Sequence, residues 1–97
     1  MTEKYAILYA LRDGLPIEYC DLAIKTAELL GLPKESGQRP KESERRGGYP
    51  YFTWSRILTT YWRDEKGFVE NSKINANLPP KHWQITQAGL DYLKRNL

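Results

Sequence analysis

The 97-residue chain is poor in the residues that do chemistry: it has one cysteine and one histidine. A lone thiol, Cys20, can close no intrachain disulfide and no cysteine-cluster metal site. A lone imidazole, His82, leaves no histidine pair for a metal and no nucleophile–base set. The sequence has no glycine-rich phosphate loop after a strand and no close carboxylate pair in an apolar setting. Asp64 and Glu65 are adjacent, but they fall in the polar last turn of a predicted helix. Catalysis, a metal and a cofactor are therefore not expected. Long apolar runs are missing too. Tyr5 to Leu11 is too short to span a bilayer, is flanked by Arg12 and Asp13, and does not resemble a signal peptide. The expectation is a soluble, cytoplasmic protein with no membrane partner. Neither charge dominates: 15 Lys and Arg stand against 12 Asp and Glu, a net +3. That balance fits a nucleic-acid binder and equally many inert surfaces.

What is abundant is aromatic: seven Tyr, three Trp and two Phe. In a single domain of this length the core is small, and large rings filling it outweigh rings held for a ligand. A first helix is expected from Glu3 to Arg12, with Thr2 as N-cap and Gly14 as its stop. Leu15-Pro16-Ile17 reads as a short extended piece or the lead-in to a second helix. That helix has the cleanest periodicity. Cys20, Ala23, Ile24, Ala27 and Leu30 line one face, Glu18, Asp21, Lys25 and Glu28 the other, and Gly31 with Pro33 ends it. Residues 33–50 are rich in Gly, Pro and charge, which predicts a flexible loop. A third helix is expected from about residues 51–53 to Glu65, with Trp54, Ile57, Leu58 and Tyr61 facing inward. Gly67 then leads to a strand at Phe68-Val69-Glu70, a long tip with Asn71, Asn75, Asn77, Pro79 and Pro80, and a second strand at Trp83-Gln84-Ile85. Phe68 and Trp83 are the expected cross-strand partners. Thr86 suits the N-cap of a closing helix from which Leu90, Leu93 and Leu97 pack inward.

The phrase Trp83-Gln84-Ile85-Thr86-Gln87-Ala88-Gly89-Leu90-Asp91-Tyr92-Leu93 is similar to the W-x-[IL]-T-x-x-G-x-x-[YL]-L ending common in winged-helix domains. With Gly67-Phe68-Val69-Glu70 before the hairpin, residues 54–95 most resemble the N-terminal winged-helix domain of Mrr-type restriction endonucleases. The resemblance implies an α+β winged helix-turn-helix: a three-helix core, a two-stranded wing and a C-terminal helix in one domain. In that family cleavage belongs to a separate nuclease domain, for which 97 residues leave no room. The roughly eighteen residues between helices two and three also exceed the three or four of a DNA-reading turn.

In such a fold the third helix is the candidate reading helix. Thr53, Ser55, Arg56, Thr59 and Thr60 would offer hydroxyl and guanidinium groups to base edges, Arg56 bidentate to guanine, with Arg63 on phosphate. Lys73, Lys81 and His82 would rest the wing on the backbone or minor groove. Arg45 and Arg46, in the charged loop, would form a basic arm. The rings of Tyr49 to Trp54 are expected to pack in the core or between subunits. The expected partner is double-stranded DNA, bound by a homodimer joined through the first or last helix and acting as a transcriptional regulator or mobile-element accessory, associated with the nucleoid. The alternative is a winged helix that holds a protein partner and touches no nucleic acid.

Overall fold

A computed structural model describes residues 1–32 and 57–96 of the chain. The charged loop, the start of the third helix, Trp54, the rings of Tyr49 to Trp54, and Leu97 lie outside the described residues. The architecture is α+β, with four helices and a three-stranded antiparallel sheet.

Helix α1 spans Glu3–Ala10, and Thr2 Oγ1 accepts from the amide of Tyr5 at 3.2 Å. It ends two residues earlier than expected. Leu11 and Arg12 donate to Leu8 and Tyr9, three residues back, and Gly14 takes up a φ of 77° to turn the chain. Ala6, Ile7, Leu8, Ala10 and Leu11 are fully buried, so α1 is the centre of the core.

Ile17–Glu18 form a strand, β1, where the sequence left an extended piece or a helix start open. Helix α2, Tyr19–Leu29, follows at once, and Glu18 caps it: its carboxylate accepts from the amides of Cys20 (2.8 Å) and Asp21 (3.3 Å). The inward face of α2 is turned from the expected one. Leu22, Ala23, Thr26 and Ala27 are buried, whereas Cys20, Ile24 and Leu30 are half-buried. The hydroxyl of Thr26 can sit inside because it donates to the carbonyl of Leu22 at 2.7 Å.

Helix α3 is described from residue 57, runs as α-helix to residue 61 and closes as a π-helical turn, Trp62–Lys66. Its inward residues are Leu58, Thr59 and Trp62, while Ile57 is 56% exposed. The backbone amides of Gly67 and Phe68 both donate to the carbonyl of Trp62, with Gly67 at a φ of 65°. Strand β2 covers Val69–Asn71, and β3 covers His82–Ile85. The sheet order is β1-β3-β2, so the expected two-stranded hairpin gains a third strand from before α2. Register pairs Ile17 and Asn71 with Trp83, and Val69 with Ile85. Trp83 therefore does not face Phe68. The Phe68 ring instead lies 5.3 Å from that of Trp62 and 4.9 Å from that of Tyr92.

Helix α4, Gln87–Arg95, starts at Thr86, whose Oγ1 accepts from Gly89 and donates to the carbonyl of Gly67. Leu93 is buried and Leu90 packs on the core. Among the described residues no helix is long and apolar enough to cross a membrane.

Candidate nucleic-acid interface

The surface where α3 meets the β2–β3 hairpin is built by Trp62 and Trp83. Trp62 is 4% exposed, stacks on Phe68 and donates its indole N–H to the carbonyl of Lys4 at 2.8 Å. That bond ties α3 to α1 across the interior. Trp83, on β3, is covered by the guanidinium of Arg63, 5.6 Å from its ring centre. One helix and one hairpin are thus held as a single surface.

On that surface the predicted contacts divide. Thr59 is fully buried and cannot reach a base edge. It falls one turn before Trp62–Arg63 on the side of the helix that packs inward, and threonine is small enough to be accommodated there. Thr60 is half-buried. Arg63 is no free phosphate contact: its side chain is 13% exposed and makes two hydrogen bonds to Asp64, at 2.6 and 3.0 Å. The hydrogen bond from Arg63 holds the Asp64 carboxyl below the usual carboxylate range, helped by attraction to Arg63 and Lys73. The same hydrogen bond raises the Arg63 guanidinium. Asp64 therefore neutralises Arg63 and lies within the field of Lys73.

Lys73 and Lys81 are exposed, as a backbone contact needs. Lys81 adopts a φ of 64°, and its carbonyl accepts from the amide of Tyr19, pinning the end of the hairpin loop to α2. His82 is the first residue of β3, opposite Glu18, and Nδ1 lies 2.9 Å from the carbonyl of Pro80. A carbonyl only accepts, so that nitrogen carries the proton and is turned back on the protein. Thr53, Ser55, Arg56, Arg45 and Arg46 lie outside the described residues.

Two further cations are engaged by rings, which the sequence does not show. The cations Lys4 and Arg12 stack on the protein's own rings, Lys4 over Tyr61 at 4.2 Å and Arg12 over Tyr9 at 4.1 Å. The described residues also carry nine basic and nine acidic side chains, so the whole positive excess belongs by sequence to residues 33–56. A shallow groove of about 420 Å3 runs beside Phe68 along α4, lined by Ala88, Asp91, Lys94 and Arg95. Among the described residues no three His, Cys, Asp or Glu side chains gather as a metal site would require.

Comparison with protein-family models, with curated proteins and with solved structures returns no match.

Proposed function

We propose that this chain is a non-enzymatic winged-helix protein that binds double-stranded DNA, with α3 as the reading helix and the β2–β3 hairpin as the wing. The observation that carries this reading is the order α1-β1-α2-α3-β2-β3-α4 with β3 central in the sheet. The hairpin follows directly on the helix that precedes it, and Arg63 over Trp83 joins the two. Exposed Lys73 and Lys81 lie on the hairpin loop, and half-buried Thr60 lies on the helix. Arg56 and the Arg45–Arg46 arm supply the excess positive charge. Sequence-independent attraction to phosphate then rests mainly on residues 33–56, and the described residues set orientation. Pairing as a homodimer uses α4, whose groove leaves Ala88, Asp91, Lys94 and Arg95 exposed, because the apolar face of α1 is consumed inside the chain. Such a protein would act in the cytoplasm, on the nucleoid, in transcription regulation or in the service of a mobile element.

A second reading is favoured by the charge balance of the described residues: a winged helix that docks a protein partner. Binding to random-sequence duplex DNA at about 50 and about 200 mM salt separates the two. Affinity that falls steeply with salt supports DNA binding. No binding at the lower salt rejects it in favour of a protein partner.

A further inference from the structure

The hairpin tip between β2 and β3 differs in charge from the rest of the body. Residues 71–82 hold Lys73, Lys81 and His82 and no carboxylate. The remaining described residues have seven cations against nine carboxylates. The carboxylate that precedes the tip, Glu70, accepts from the side-chain amide of Asn75 at 3.1 Å, which occupies one of its oxygens.

The tip is also held by its own hydrogen bonds. The carbonyl of Asn71 accepts from the amides of Ile74 (3.0 Å) and Asn75 (2.8 Å), and its side-chain oxygen accepts from Lys73 at 3.1 Å. The side chain of Asn75 accepts from the amide of Asn77 at 3.0 Å. Leu78 turns inward and is 7% exposed, which anchors the returning arm. Against that order Ile74 stands out, 60% exposed beside the Lys73 cation. An ordered loop that buries one aliphatic side chain and presents another has already lost the entropy that a flexible loop would lose on binding. The minor groove of B-DNA is about 6 Å wide, and proteins that enter it combine cations for phosphate with an apolar residue against or between the bases.

We propose that the tip is an apolar wedge for the minor groove of duplex DNA, with Ile74 against the bases and Lys73 on a flanking phosphate. The proposal rests on the DNA-binding reading and adds to it a contact whose strength does not depend on salt.

The test is fluorescence anisotropy of the full chain and its variants on a labelled random-sequence duplex at about 50 and about 200 mM salt, with solution mass and Tm measured alongside. Ile74→Ala is expected to weaken binding about five- to tenfold at both salt concentrations, from lost apolar burial. Its salt slope and Tm should match those of the wild type, and Ile74→Leu should retain affinity. Lys73→Ala should instead reduce the salt slope by about one. Wild-type binding with Ile74→Ala at unchanged affinity overturns the wedge and leaves the DNA reading intact. A dimer that Ile74→Ala converts to monomer makes Ile74 a subunit contact and also overturns it. A wild-type chain that binds no duplex at either salt withdraws the DNA reading and the wedge with it.

Discussion

Trp62 ties together residues far apart in the sequence. Its ring meets those of Tyr61, Phe68 and Tyr92 at 5.3 to 5.7 Å, and its N–H reaches back 58 residues to Lys4. Trp62→Ala should cost about 3–5 kcal/mol through the cavity it leaves. Trp62→Phe should cost about 2 kcal/mol, from the lost hydrogen bond and lost volume. Urea unfolding followed by circular dichroism measures both. Asp64 acts on a smaller scale. Its carboxyl is depressed by Arg63, so its contribution to stability is present above the ordinary carboxylate value and fades as pH falls through the folded one. Asp64→Asn should therefore lower Tm slightly at neutral pH, with the gap to wild type closing once pH is below the carboxylate range. A gap of constant size across that titration would refute the linkage. Neither role was legible from sequence. Arg63 read as a phosphate contact because a neighbouring acid in the chain does not announce which way the two side chains turn.

At the scale of elements, what could be read was local and what could not was long-range. Thr2 and Thr86 cap their helices as expected because a cap depends on residues within one turn. Gly89 lies where a helix approaches backbone closely. A methyl group there would overlap the carbonyl oxygen of Phe68 and fall 2.6 Å from Ile85 Cγ1. That carbonyl is not free to move, since it accepts from Thr86 at 2.9 Å. Gly89→Ala should therefore destabilise by about 1–3 kcal/mol, although alanine is the better helix former by about 1 kcal/mol. Chemical denaturation reports the sign directly. The extended piece before α2 could be read, but its pairing as β1 could not, because it is two residues long and its partner, β3, lies far along the chain. The face of α2 was misjudged for a related reason: Thr26 looks polar in sequence, and only its bond to Leu22 makes it an interior residue.

For the molecule as a whole, charge separates two parts of the chain. The described body is balanced, and the excess sits by sequence in residues 33–56. Under the DNA reading, Arg45→Ala with Arg46→Ala should lower the salt slope of duplex binding by about two, and Lys81→Ala by at most about one. Equal slopes for wild type and the double variant would remove the basic arm from the interface. This division could be counted from the sequence, but its meaning depends on knowing which cations the body already uses, as Lys4, Arg12 and Arg63 are on their own rings. The central position of β3 has one more consequence, for how the chain acquires its structure. Strand β3 is the partner of both other strands, and Gln84 donates to the carbonyl of Gly14 across 70 residues of sequence. The apolar residues of α1 precede β3 in the chain, so the sheet that helps enclose them cannot close until residues 82–85 have followed. Closure of the sheet is consequently non-local, and contacts so distant in sequence form slowly.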